Sequence, residues 1–271
     1  MIKLKNVKNR YHYSTILIKQ LVRTDFKLRY QGSILGYLWS LLKPLFLFGI
    51  LYVVFVKIVQ VDYGVDHDGV YLLLGIVIWS FFAELTGGSV TSVVAKGDLL
   101  RKLNFPKYII VLTTGISAVI NLGINLGVVV VFMLIGGVEI DWKVFLAIPL
   151  LVELFIFSIG IGFFLSASFV RLRDVGYIWD VSMQALFYLT PIIFPLSLAA
   201  VWIQKILILN PLAQIVQDLR YVLVSEKTTT ITQVYDGNSA MRLVPISVVV
   251  ISAIIFSLYF RSKSKSFAEE I

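Results

Sequence analysis

Residues 12–44 read HYSTILIKQLVRTDFKLRYQGSILGYLWSLLKP, and the fold follows from them. At about 100° per residue on a helix, Leu17, Leu21 and Leu28 fall on one side. Lys19, Arg23 and Lys27 repeat at i, i+4 on the other, while Val22 and Phe26 sit off the apolar stripe. A helix with an apolar stripe and a cationic face, placed just before a long apolar run, lies along a membrane surface. Its Lys and Arg side chains, Arg29 included, then meet anionic headgroups or a partner protein. The alternative is a basic juxtamembrane segment that only fixes orientation. Gln31-Gly32-Ser33 breaks the helix, and Ile34–Leu42 begins the first span with Tyr37 and Trp39 near the interface.

The whole chain is of the same kind. Of its 271 residues, 58% are hydrophobic and only 15% charged, and the mean hydropathy is +0.89. That composition belongs to a polytopic helical membrane protein and leaves no room for a soluble domain between apolar segments. There is no cysteine, which excludes disulfides and Cys-ligated metals. His12 and His67 lie far apart in sequence, so no His-based metal cluster is expected. No cleavable signal peptide is expected either, because the first apolar run follows a thirty-residue basic segment and has no Ala-x-Ala-like exit.

The expected architecture is all-α: one transmembrane domain over residues 1–271, with an interface helix at 12–30 and six spans. The spans fall at about 34–57, 70–95, 108–136, 144–170, 176–195 and 243–260, each near bilayer length. Charge alternates between the connecting segments. One side carries 17 Lys and Arg and the other five, counting Lys143, Lys205, Arg220, Lys227 and Arg242. By the positive-inside rule both termini are cytoplasmic. The net charge of +8 does not imply nucleic acid, since no soluble face gathers the bases.

The fifth span is broken by Pro191 and Pro195, which remove backbone donors. The apolar stretch at 196–224 is interrupted by Asn210-Pro211. Each half is about a dozen residues, roughly 20 Å of helix, too short to span. Two short re-entrant helices fit, with a cavity or exit path beside them; amphipathic helices resting on the surface are the alternative. Residues 225–242 read as a small external loop or hairpin.

No Walker A pattern occurs, so the chain does not cradle nucleotide phosphates that way. Gly160 and Gly162 lie mid-span, where small-residue helix packing explains them. The ionisable groups within spans are Lys43, Glu84, Glu153 and Asp180. Ion pairing or cavity solvation accounts for them better than a proton relay, since their depths differ; Asp180 can reach Arg171 or Arg173. Paired-carboxylate catalysis, and with it a membrane enzyme acting on lipid intermediates, has little support. A secondary transporter would show paired broken helices, and only one span is broken. AKGDLLRKLNFPKY places Asp98, Leu99, Leu100, Arg101 and Lys102 on one short helix stopped by Pro106. VRLRDVGY places Arg171, Arg173 and Asp174 on a second cytoplasmic segment. Both suit docking into the groove of a soluble partner, or serve only as topology signals.

Several separated features then fall into one order: GxLWSLLKP after the basic helix, GDLLRKLNFP at 97–106, RLRD at 171–174, TPIIFP at 190–195 and NPLAQIVQDLR at 210–220. Together they resemble the ABC-2 permeases that export O-antigen, capsular polysaccharide and teichoic acid. The resemblance implies a non-enzymatic subunit of the bacterial cytoplasmic membrane, a homodimer bound to two copies of an ABC ATPase. The chain itself would bind no cofactor; ATP and Mg would sit on the ATPase. Leu99–Phe105 would be the coupling helix, with Phe105 closing it, and Arg171–Asp174 the second ATPase contact. Residues 12–30 would be the interface helix and 196–224 the outer re-entrant helices. The substrate would be a polyprenyl-linked glycopolymer threaded between the subunits. Tyr37, Trp39 and Lys43, with Phe187, Tyr188 and Phe194 of the fifth span, would line its path. An exporter of a drug or small lipid would share the architecture but not the ordered motifs.

Overall fold

The computed structural model describes residues 15–27, 35–102, 105–139 and 141–270. Arg29, Leu28 and the break at residues 31–33 lie outside them, as does the side chain of Tyr37. The described residues are helical and contain no strand.

Helix α1 covers residues 15–27. Leu17, Ile18 and Leu21 pack against the core, and Lys19, Arg23 and Lys27 are exposed. Helix α2 (Trp39–Leu51) continues as a wider π-helical stretch (Tyr52–Ile58). Helix α3 (Asp68–Ala95) is the axis of the molecule. It is largely apolar around its circumference, the signature of a helix enclosed by its neighbours, and most of its residues between Val70 and Val93 are buried, with Glu84, Gly87 and Gly88 on an open side. Helices α5 (Tyr108–Gly136) and α6 (Ala147–Arg171) pack on it. Helix α4 (Gly97–Lys102) joins α3 to α5.

Small residues set the closest approaches. A Cβ on Gly160 of α6 would stand 3.1 Å from Ala253 Cα of α11, and one on Gly162 would stand 2.7 Å from Ser89 Oγ of α3. The mid-span glycines are thus packing residues, as their position suggests.

Among the described residues, five helical segments are long and apolar enough to cross a membrane: Trp39–Ile58, Asp68–Ala95, Tyr108–Gly136, Trp142–Arg171 and Ser239–Lys263. Helix α7 (Val175–Leu189) has 15 residues, about 22 Å of rise against the roughly 30 Å of a hydrocarbon core. The apolar run at 176–195 continues past the helix, but Thr190-Pro191 and Pro195 take the backbone out of it.

Helices α8 (Val201–Leu207) and α9 (Pro211–Leu223) follow. Asn210 caps α9 by accepting from the Leu212 N–H at 3.1 Å, and Pro211 occupies the first turn, where its missing N–H costs nothing. Surface placement suits α8, whose Val201, Trp202 and Ile206 are exposed. It does not suit α9, where every residue from Pro211 to Arg220 is buried.

Two sequence expectations change. The segment at 225–242 forms no hairpin: a capping box between Thr230 and Gln233 starts a short helix, α10 (Ile231–Val234), and a 3-10 turn (Ser239–Arg242) leads into α11 (Leu243–Lys263). Arg220, counted from sequence among loop charges, is fully buried inside the bundle. A last helix, α12 (Phe267–Glu270), folds back against α4 and α6.

The bundle therefore has a basic end, formed by α1, α4, the turn at 171–174 and α12, and an opposite end formed by the loop before α3 and by α8–α10. At the opposite end the Tyr63 phenol is buried, which pushes its pKa up to about 12 and keeps it a hydrogen-bond donor.

Candidate functional site

The basic end is assembled by contacts between elements distant in sequence. Lys96, at the end of α3, pairs with Asp25 of α1 at 3.0 Å. This ties the cationic helix to the segment that starts α4. Arg171, closing α6, grips Glu270 of α12 through two nitrogens at 2.7–3.1 Å. The Arg171 guanidinium, helped by Ser266, holds the Glu270 carboxyl down to about 2. Phe267 is buried against Phe260, 5.5 Å between ring centroids, and Lys107 donates to the Ser264 carbonyl beside it. The short terminal helix is thus pinned by an aromatic anchor and an ion pair.

The predicted docking residues divide by this packing. Leu100 and Phe105 are buried in the chain's own core, and Leu99 is half-buried. Asp98, Arg101 and Lys102 are exposed on α4. In the turn after α6, Arg171, Arg173 and Asp174 are exposed, and Arg173 lies over the Phe169 ring at 5.0 Å. The apolar residues of the sequence pattern hold the helix in place, and the charged ones face outward. An Asp at position 100 would therefore disrupt the core and could not isolate a surface effect. The pairing considered for Asp180 is not made with Arg171, whose carboxylate partner is Glu270.

Midway along the bundle, α2, α3 and α5 enclose a cavity of about 710 Å³. Its wall carries Trp39, Ser40 and Lys43 from α2, Trp79 and Glu84 from α3, and Asn121 and Asn125 from α5. Asn121 Nδ2 donates to Glu84 Oε1 at 2.6 Å. Asn121 Oδ1 is buried without a hydrogen-bond partner among the described residues. Asn125 Nδ2 reaches the Asn121 carbonyl at 2.8 Å and the Ser40 carbonyl at 3.3 Å. Pro44, four residues on, has no N–H to donate to the Ser40 carbonyl. Polar and charged groups at such depth are costly unless they face water, a partner or a ligand.

Trp39 and Lys43 of the expected path do line this cavity. Phe187 reaches it indirectly, edge-on to Trp79 at 5.3 Å. Tyr188 is exposed and Phe194 half-buried on the other side of the proline break. Sequence reasoning missed Asn121 and Asn125. Their i, i+4 spacing in an otherwise apolar span was the available signal, since two amides at that spacing share one helix face. Glu153 stays apart from the cavity, near Asp218 and Arg242 at the opposite end.

A bundle of bilayer-length helices with a charged face at one end and a polar chamber at mid-depth is the framework of a membrane transport subunit. This chain belongs to the ABC-2 type transporter family, whose profile matches residues 16–224. It is 28% identical over 274 positions to the O-antigen export system permease protein RfbA of Myxococcus xanthus, covering 100% of both chains. Two Klebsiella pneumoniae proteins of the same name are 28% and 26% identical over 79% of this chain and 83% of their own length. Family membership makes the chain a transporter membrane subunit that works with an ATPase, and not a catalytic enzyme.

Proposed function

We propose that the chain is the permease of an ATP-driven exporter that moves a lipid-linked polysaccharide or teichoic acid across the bacterial cytoplasmic membrane. The observation that carries the reading is the basic end. Arg101 and Lys102 on α4 and Arg173 and Asp174 in the turn after α6 are exposed, while Leu100 and Phe105 are buried in the core and Leu172 is exposed beside Arg173. That is a rigid charged surface suited to a soluble partner, here two ATPase copies that would supply ATP and Mg. In this reading both termini are cytoplasmic, the basic end is the inner end, and α7 with the segment to Pro195 completes a sixth span. Helices α8 and α9 are the short outer elements, and α9 re-enters the membrane within the bundle.

Helices α2 and α7 are little enclosed: Pro44 is the buried residue of the first, and the second has none. In the proposed homodimer they face the second copy, and the polymer passes between them along Trp39, Lys43, Phe187 and Tyr188. The chamber beside that path offers amides, a carboxylate, an ammonium and two indole faces, the donor set that recognises hydroxyl-rich rings. A path for drugs or small lipids has less use for such groups.

Purification of the tagged chain from native membranes in mild detergent, with mass spectrometry and an ATP-hydrolysis assay, tests the reading. The expected result is an ABC ATPase at one-to-one stoichiometry and loss of a surface glycopolymer when the chain is depleted. A chain that emerges alone, or an unchanged cell surface, overturns it.

A further inference from the structure

The break that follows α7 is held by its neighbours. In an α-helix the carbonyl of residue i accepts from the N–H of residue i+4. The residue four after Pro191 is Pro195, which has no N–H to give. Arg220 of α9 supplies the missing donor. Its guanidinium donates from Nη1 to the Pro191 carbonyl at 2.6 Å and from Nη2 to the Ile192 carbonyl at 2.7 Å. The next carbonyl, of Ile193, accepts from the Tyr63 hydroxyl at 2.8 Å. Three consecutive carbonyls beyond α7 are thus bound by side chains from α9 and from the loop before α3.

Arg220 is itself fixed from α3. Its Nε donates to the Tyr71 carbonyl at 2.9 Å, and the Tyr71 ring lies against the guanidinium with its centroid 3.8 Å from Cζ. Gln217 accepts both from Arg220 Nη1 and from the Tyr71 hydroxyl, each at 3.2 Å. Gly75, one turn along α3, opens the slot: a Cβ there would stand 2.3 Å from Nη2. Among the described residues no carboxylate pairs with Arg220. Carbonyl dipoles and an aromatic face stabilise the buried charge instead.

The rest of α7 is held along one face only, where Trp179, Met183, Leu186 and Phe187 pack against the core. No residue between Val175 and Leu189 is buried, and Tyr177, Ile178 and Val181 near its inner end are exposed. That end leads directly from the exposed turn at 171–174.

We propose that Arg220 is a positioning residue for transport. It anchors the outer end of α7 to α3 and α9 as a fulcrum, so motion imposed at residues 171–174 swings the inner end of α7 alone. The nucleotide-driven part of this inference rests on the exporter reading; the anchor does not.

The chain has no cysteine, so introduced cysteines carry spin labels at chosen positions only. One pair, Leu189→Cys with Leu243→Cys, reports the outer end; another, Tyr177→Cys with Arg261→Cys, reports the inner end. Labelled chain is diluted with unlabelled chain in lipid nanodiscs, with its co-purified ATPase, and distances are measured nucleotide-free and vanadate-trapped. The outer distribution should be narrow and stationary while the inner one shifts. Arg220→Met should broaden the outer distribution in both states and abolish export while hydrolysis continues; Arg220→Lys should restore part of the narrow width. Gly75→Ala, which displaces the guanidinium, and Tyr63→Phe, which removes one hydroxyl, should broaden it too, and they carry the test if Arg220→Met does not fold. An outer distance that moves as far as the inner one, or stays narrow in Gly75→Ala and Tyr63→Phe, overturns the proposal. A chain that comes without ATPase overturns the exporter reading, and the anchor is then judged on the outer width in these variants.

Discussion

Two prolines in the molecule, Pro44 inside the continuous helix α2 and Pro195 beyond the end of α7, each remove a backbone donor, and the carbonyls near them are bound in different ways. In α2, Pro44 leaves the Ser40 carbonyl without its helical donor, and a neutral amide, Asn125 Nδ2, reaches it at 3.3 Å beside an open chamber. Beyond α7 the backbone leaves the helix at Thr190, and the buried Arg220 guanidinium binds the Pro191 carbonyl at 2.6 Å with a second carbonyl and an aromatic face in its grasp. The amide at Ser40 is neutral and next to space. The guanidinium beyond α7 is charged, sealed and multiply bonded. Giving up one long hydrogen bond from a neutral amide costs little, whereas freeing a guanidinium from several carbonyls in a buried site is expensive. The first site thus suits a mobile wall and the second a fixed point.

The contrast is easiest to break at the sealed site. Arg220→Met should lower unfolding stability in detergent by about 3–5 kcal/mol, because it leaves carbonyls without donors in a dry site. A loss under 1 kcal/mol in tryptophan-detected melting would remove the distinction between the two sites. The basic end should be independent of both. Arg101→Glu with Arg173→Glu should weaken the ATPase complex by about tenfold, as reversal of interface charges does, with the melting temperature unchanged. Pull-down titration checks the first statement and melting the second.

At the open site, Asn125→Leu should cost only about 1 kcal/mol, the net worth of a typical hydrogen bond. Adding Pro44→Ala returns an N–H to the Ser40 carbonyl, so the double variant should melt higher than Asn125→Leu alone. If it melts lower, the amide is not standing in for the N–H that Pro44 lacks. The smallest effect lies farthest from both sites. Because the folded Glu270 carboxyl is held to about 2 against an ordinary 4.5, its contribution to docking α12 is complete above pH 4.5. That contribution is lost as pH falls from 4.5 towards 2. A fluorophore on Lys265→Cys should report release of α12 across that window, and Glu270→Gln should abolish the pH dependence.

The sequence marked the break beyond α7 by Pro191 and Pro195, but not the side chains that bind it, and it gave no sign of the amide beside Pro44. Periodicity and charge alternation located the apolar segments, because each element's length and one-sidedness are local properties. The cationic face of α1 was legible for the same reason, as Lys19, Arg23 and Lys27 share a helix face. The docking residues were half legible. Their positions followed from the pattern GDLLRK, but Leu100 turns inward and Arg101 outward because α12 packs against one side of α4.

What the sequence determined by itself was an all-helical membrane chain, its basic and opposite ends, and the point at Pro191 and Pro195 where the fifth apolar segment must break. What only the tertiary structure decided was where each freed carbonyl finds its donor. Asn125 lies 85 residues from Ser40, and Arg220 lies 29 from Pro191 and 149 from Tyr71. A hydrogen bond is a matter of a few tenths of an ångström, and no spacing rule links residues on different helices. Arg220, an unremarkable outer-side charge in the sequence, acquires its place from a glycine on α3 and a proline beyond α7 that only folding brings together.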